Sequence, residues 1–293
     1  MKHSIAALPS ALILEPLLRS WLLEDIGRGD MTTDGLIGFG NSCDRRYRAD
    51  WIVKEAGVIA GLLVAANVFK LLDPQVCVTP KVDEGEWCEP GTLILQIQGA
   101  PGALLTGERT ALNLAMRLSG IATAVRSYVD LIKDLPAQLV DTRKTTPGLR
   151  ILEKYAVRVG GATNHRLGLD DGVMLKDNHI AAAGGISEAI ARVRRHSPYP
   201  LSIEVETEDL AMVQEAIQQG ADIIMLDNMP LTMMHEAVQM IRQANNRIKI
   251  EASGNITLTT IRAVAETGVD YISTSAPVTR STWLDLSMRL VKD

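Results

Sequence analysis

Three cysteines occur in 293 residues, Cys43, Cys77 and Cys88, and their spacing matches no metal-binding pattern. An odd number without pattern argues against a disulfide framework and points to reduced thiols, the state expected in the cytosol. Long apolar runs are missing as well. No run is long enough to span a bilayer, and acidic and proline residues soon interrupt Ala11 to Leu14, so the N-terminus lacks a signal-peptide layout. Positive charge is not in excess either: 30 Lys and Arg stand against 35 Asp and Glu, a formal net charge of −5. No global field therefore favours nucleic acid or an anionic membrane, and any anion site must be built from local clusters. These absences predict a cytoplasmic globular protein.

What is present suits sizeable cores. The chain is 46% hydrophobic and only 22% charged, and its length makes two domains the reasonable expectation. A mean hydropathy of +0.08 is slightly apolar for a soluble protein and points to a buried subunit interface.

From about residue 137 onward, short β-type runs alternate with amphipathic helical patterns, the signature of a parallel α/β architecture. The expected strands are 138–140, 173–175, 201–205, 223–226, 248–250 and 271–272. The expected helices between them are 187–195, 209–219, 230–244 and 258–267. Each apolar run ends on polar or charged residues: Asp141, Arg143 and Lys144, then Lys176, Glu206, Asp227, Ser253-Gly254-Asn255 and Ser273-Thr274-Ser275. In a β/α barrel these positions converge on one rim, and in a doubly wound sheet on one crevice. Polar loops alone account for Ser and Gly. They account poorly for Lys176, Glu206 and Asp227, each beside residues that must be buried.

The richest of these ends is Asp141-Thr142-Arg143-Lys144-Thr145-Thr146-Pro147-Gly148. A carboxylate, a guanidinium, an ammonium and three hydroxyls at one strand end are costly unless a ligand satisfies them. Such donors suit an anion with several oxygens, because Arg offers a planar fork and Lys a point charge. The Ser253 and Ser273 clusters precede expected helices near residue 257 and after 275, an arrangement that favours phosphate at helix N-termini.

The first half reads differently. An opening helix carries Leu17, Leu18, Trp21 and Leu22 at helical spacing, and strands are expected at 46–53, 76–80 and 93–97 with a helix at 62–72. The acidic turn 83–91 faintly resembles the hairpin of a lipoyl or biotinyl carrier domain, but no lysine flanked by Met or Asp occupies the tip. Two helices, 103–118 and 123–133, are expected to bridge to the second half. Around Arg109 on the first of them, Leu112, Leu114, Ala115 and Met116 form a wider apolar face than one helix needs, leaving room for a subunit contact. His179, beyond the end of its strand, reads as structural, and His3, His196 and His235 as surface residues.

Taken in order, several motifs resemble the quinolinate phosphoribosyltransferases over nearly the whole length. They are Glu24-Asp25-Ile26-Gly27-Arg28-Gly29-Asp30-Met31-Thr32-Thr33, Gly107-Glu108-Arg109-Thr110-Ala111-Leu112-Asn113 and the Asp141 segment. Further along come Gly160-Gly161-Ala162-Thr163-Asn164-His165-Arg166 and Leu175-Lys176-Asp177-Asn178-His179. Glu204-Val205-Glu206, Leu226-Asp227-Asn228 and Glu251-Ala252-Ser253-Gly254-Asn255-Ile256 complete the set.

The resemblance implies an N-terminal α/β sandwich over 1–120 and an incomplete β/α barrel over 121–279, its site at the C-terminal strand ends. The tail 280–293 is a candidate to pack back on the first domain. It implies a homodimer in which the N-terminal domain of one subunit covers the barrel mouth of the other. The implied reaction joins quinolinate to phosphoribosyl pyrophosphate, giving nicotinate mononucleotide, pyrophosphate and CO2 with Mg2+, a step in NAD biosynthesis. Arg143, His165, Arg166 and Lys176 would bind the two carboxylates, with Arg109 reaching in from the partner. Lys144 and Thr142 would meet the phosphoribosyl pyrophosphate oxygens. Glu206 and Asp227 would hold the ribose hydroxyls or Mg2+, directly or through water. Ser253, Gly254 and Asn255, with Thr274, Ser275 and Ala276, would cradle the 5′-phosphate. Lys144, Lys176, Glu206 and Asp227 form the implied catalytic set, with Lys176 the candidate for handling protons.

One position departs from the family pattern: Ser275 stands where the final phosphate loop usually has glycine. A side chain there limits positive φ and close backbone approach. Alternatives stay open at this stage. One is a pyrophosphorylase-like paralogue associated with molybdenum transport, another a nicotinate phosphoribosyltransferase, and a third a catalytically silent barrel that binds phosphate metabolites.

Overall fold

Apolar runs of three to five residues, each followed by an amphipathic helix, bury both faces most readily as strands of a parallel sheet. Six of them do so in the computed structural model, which describes residues 6–37 and 46–291. Their order across the sheet is Gln138–Val140, Tyr271–Ser273, Lys249–Ser253, Ile223–Asp227, Ile203–Thr207 and Val173–Leu175. Every neighbouring pair is parallel. The register sets Ser253 opposite Asp227 and Ser273 opposite Val140, so the strand ends lie nearly level. The two end strands do not pair with each other among the described residues, and beyond Gln138–Val140 only a single bridge joins Val140 to Thr163. The barrel is incomplete, as expected.

Helices Ile186–His196, Leu210–Gln218 and Leu231–Ala244 lie close to the sequence expectation. The second is capped by the Asp209 side chain, which accepts from the Met212 N–H at 2.8 Å. The expected helix near residue 257 differs: it spans only Ile261–Ala265. Thr257 and Thr260 hydrogen-bond each other's backbone N–H and hydroxyl groups, and this local turn delays the helix. Ser253-Gly254-Asn255 therefore has no helix N-terminus directly behind it.

By packing, the chain divides into two units, the second of residues 125–150 and 162–280 and the first of the remainder. The helix Arg150–Val159, which the sequence reading left inside 121–279, falls almost wholly in the first unit. That unit is built on a four-stranded antiparallel sheet ordered Leu286–Val291, Tyr47–Val53, Leu93–Gly99, Cys77–Pro80. The final strand thus lies on the first-domain sheet, with Met288 opposite Trp51. Trp51, fully buried, meets Phe69 edge-on at 6.2 Å between ring centres.

The acidic turn has a structural use. Glu84 accepts from the N–H groups of Gly61 and Leu63 at 2.8 and 3.1 Å, serving the free donors at the start of helix Leu62–Leu72. Burial raises its pKa against those hydrogen bonds. Cys77 is exposed and Cys88 buried, its thiol pushed up to about 11 by burial and by Glu86 and Glu89. Cys43 and His3 lie outside the described residues. No helix among the described residues is long and apolar enough to cross a membrane.

Where two bridging helices were expected, one helix of 32 residues runs from Pro101 to Ile132. Ser119-Gly120 reads as a break, yet Gly120 continues the helix because the chain near Thr282 crosses it there. A Cβ at Gly120 would overlap the carbonyl oxygen of Thr282. The absence of a side chain, costly in a helix interior, is what lets the C-terminal segment approach. Gly120→Ala is expected to lower unfolding free energy by about 1–3 kcal/mol despite the better helix propensity of alanine. Urea denaturation checks the sign, and an unchanged or raised midpoint would show that the crossing yields freely.

Candidate active site

Parallel strands place all their carboxyl ends on one edge. Here those ends surround a cavity of about 590 Å³, a volume suited to a small-molecule site. Asp141 is buried and ties two loops together. It accepts from Asn164 Nδ2 at 2.7 Å and from the His165 backbone N–H at 2.8 Å. After it the chain turns, the Lys144 N–H donating to Thr142 Oγ1 at 3.0 Å, which leaves the Lys144 side chain exposed.

Cations line one side of the cavity. Arg143 Nε is buried without a hydrogen-bond partner among the described residues. A buried donor left unmade costs about 1–3 kcal/mol, and an anionic ligand can recover it. Arg166 donates from Nη1 to the Gly172 carbonyl at 2.8 Å, and burial followed by Arg143 lowers its pKa. Lys176 Nζ stands 3.4 Å from Glu206 Oε2. Burial, with Asp227 adding to it, raises Glu206 against the pull of that ammonium. Met174, Met225 and Ile256 supply apolar wall.

The opposite side is a backbone cradle. Gly254 and Asn255 take positive φ, 94° and 53°, as does Asn228 at 54°. Asn228 donates from Nδ2 to Asp227 Oδ2 at 2.8 Å and accepts at Oδ1 from Asn255 Nδ2 at 3.0 Å. A Cβ at Gly254 would overlap Asn228 Oδ1, so glycine is required there twice over. The neighbouring loop dispels the doubt about Ser275. Its φ is −89°, a conformation open to any residue, and it begins the short helix Ala276–Thr279.

Nearly every residue singled out from sequence lines the cavity: Thr142, Arg143, Lys144, His165, Arg166, Lys176, Glu206, Asp227, Ser253, Gly254, Asn255, Thr274 and Ser275. Ala276 does not. It is half-buried, and its N–H donates to Thr274 Oγ1 at 3.2 Å, so that amide is not free to meet a phosphate. Arg109 lies exposed on the long helix of the first unit. His179 caps its own helix, Nδ1 accepting from the Lys176 N–H at 3.1 Å, and His196 and His235 are exposed.

Comparison with known proteins decides the family. The family profiles described as quinolinate phosphoribosyl transferase, N-terminal and C-terminal domain, match residues 30–119 and 121–289. The chain belongs to the quinolinate phosphoribosyltransferase family. It is 57% identical to a probable nicotinate-nucleotide pyrophosphorylase [carboxylating] of Synechocystis, covering 99% of this chain and 96% of the relative. Identity to the Bacillus subtilis protein of the same description is 46%, over 94% and 93% of the two chains. The crystal structure of NadC from Streptococcus pyogenes superposes with a TM-score of 0.90 at 41% identity, covering 97% of this chain and 99% of that one.

Within this family member, sequence reasoning assigned no role to Glu204, Glu251 or Asn228. Asn228 was legible only as a polar neighbour of Asp227. The two glutamates did carry a signal. Each interrupts an apolar run inside a strand, where an unpaired charge is expensive. Glu204 also shares a strand face with Glu206 two residues on. Both are buried, and their Oε2 atoms lie 3.1 and 3.4 Å from His165 Nε2. His165 Nδ1 in turn accepts from the Arg166 N–H at 2.7 Å.

Burial opposes charge on the imidazole, but the two carboxylates outweigh it and lift the pKa of His165 to about 10. Since the folded pKa exceeds the unfolded one, the stabilisation is complete below the ordinary histidine range and is lost as pH rises through about 10. The His165 ring resonances are expected to show no titration between about pH 5 and 8. NMR of the labelled imidazole checks this, and a midpoint near 6.5 would contradict it.

Proposed function

We propose that the protein transfers the phosphoribosyl group of phosphoribosyl pyrophosphate to the ring nitrogen of quinolinate. Loss of CO2 then yields nicotinate mononucleotide and pyrophosphate, in NAD biosynthesis. The observation that carries this reading is the convergence of Arg143, Arg166 and Lys176 on one cavity that also holds Glu206 and Asp227. A dicarboxylate needs several fixed cations in a partly dry site, and the partnerless Nε of Arg143 is a donor waiting for such an anion. Plain phosphate binding needs neither Glu206 nor Asp227, which weighs against a silent barrel. The cation set also exceeds what a monoacid such as nicotinate requires.

Lys144, exposed at its turn, is placed to meet the pyrophosphate as negative charge develops on it. Glu206 and Asp227 face the sugar, where carboxylates favour a cationic anomeric carbon and accept from ribose hydroxyls. The loops at Gly254 and Thr274 take the 5′-phosphate. Glu206 and Asp227 are hard oxygen donors side by side at the cavity wall, a set that fits Mg2+ directly or through water. When bound, Mg2+ would neutralise pyrophosphate charge. After transfer, the quaternised ring nitrogen serves as electron sink for decarboxylation, so Arg143 and Arg166 chiefly orient the acceptor and Lys176 is placed for proton handling. The homodimer, the supply of Arg109 by the partner subunit and the cytoplasmic location belong to the same reading.

The purified protein, incubated with quinolinate, phosphoribosyl pyrophosphate and Mg2+, is expected to form nicotinate mononucleotide. Lys144→Ala should lower kcat by about 100-fold or more. Absence of product from folded wild-type protein would overturn the reading. Mixing inactive Arg109→Ala with inactive Lys144→Ala should restore activity through subunit exchange. If exchange is demonstrated without recovery, Arg109 does not act across an interface.

A further inference from the structure

No step of the reaction proposed above uses Glu204 or Glu251, and the inference that follows rests on that reading. Both residues are 3% exposed. Each brings one oxygen to His165 Nε2, while the Oε1 of each is buried without a partner among the described residues. Two carboxylates in apolar strands sharing one imidazole are an expensive arrangement for a barrel that needs only to fold, since well-packed hydrocarbon would serve it as well. The imidazole they grip is fixed at its other end too. Nδ1 takes the backbone N–H of Arg166, and Asp141 takes the backbone N–H of His165. Arg166 is thus the residue whose position the whole assembly determines, and its guanidinium lies beside that of Arg143, whose charge it feels.

We propose that Glu204 and Glu251 are positioning residues for the acceptor half of the site. They hold His165 by Nε2 and, through its Nδ1, set the backbone of Arg166, so that the cation pair Arg143 and Arg166 meets quinolinate in one fixed geometry. The phosphoribosyl half, built from Lys144, Asp227 and the Gly254 cradle, does not depend on this linkage. The same three groups also have the donor types of a transition-metal site, their ligand atoms within 4.8 Å of one another. Direct contact of Nε2 with both carboxylates favours the hydrogen-bonded assembly instead.

Steady-state kinetics of full-length Glu204→Gln, Glu251→Gln, His165→Gln and His165→Asn test the proposal. Glutamine at 165 carries an amide to the reach of Nε2, whereas asparagine reaches only as far as Nδ1. The two glutamate variants and His165→Asn are expected to raise KM for quinolinate by about tenfold or more. KM for phosphoribosyl pyrophosphate should stay within about twofold, and His165→Gln should recover most of the quinolinate affinity. Parallel increases in both KM values, an unchanged quinolinate KM, or equal damage from Gln and Asn at 165 would overturn it. So would a stoichiometric transition metal, found by elemental analysis of the purified wild type and lost in Glu251→Gln. Should one glutamate variant fail to fold, the other and the His165 pair decide the matter. Wild-type protein without product would sink the function itself, whereas active wild type with indifferent variants would sink only the linkage.

Discussion

Parallel strands all finish on the same edge, and this single constraint organises the second unit. Asp141, Lys176, Glu206, Asp227, Ser253 and Ser273 or their immediate neighbours come together there although 132 positions separate the first from the last. Register does the fine placement. With Ser253 opposite Asp227, the loop after one strand can hydrogen-bond the loop after the next, as Asn255 does with Asn228. Sheet geometry thus becomes site geometry without a long flexible loop.

Charge placed at a strand end has to be held still. The protein does this with buried acceptors, Asp141 for the His165 loop and Glu204 and Glu251 for the His165 ring, and with the exposed Asn228, which donates to Asp227 and accepts from Asn255. Tied into the fold by these contacts, the groups keep the rim ordered before any ligand arrives. The exceptions are as informative as the rule. Arg143 Nε stays without a partner among the described residues, and the Lys144 side chain is exposed. Preorganised donors of this kind lose little freedom when an anion binds.

Much of this was legible in the sequence because alternation of apolar runs and amphipathic helices leaves few arrangements for the strand ends. Strands Gln138–Val140 and Val173–Leu175 and helix Leu62–Leu72 fall at the expected bounds. Failures occurred where distant packing overrode local signal. Gly120 reads as a helix break until the crossing at Thr282 is seen, and Thr257 reads as a helix start until its bonds with Thr260 are known. Ala276, which the resemblance implied for the phosphate, gives its amide to Thr274 Oγ1 instead of leaving it free. Helices Met31–Ile37 and Asp177–Ala183 are too short for periodicity to reveal. The glutamates gripping His165 were visible as charges inside apolar strands, but only the fold shows what they face.

The central claim is that these cations recognise two carboxylates at once. Calorimetric titration of the protein with quinolinate and with nicotinate, without the second substrate, tests it most directly. A buried charged contact made by the second carboxylate predicts quinolinate binding tighter by about 100-fold or more. Equal affinity for the two acids would show that the second carboxylate goes unrecognised, and would contradict the account.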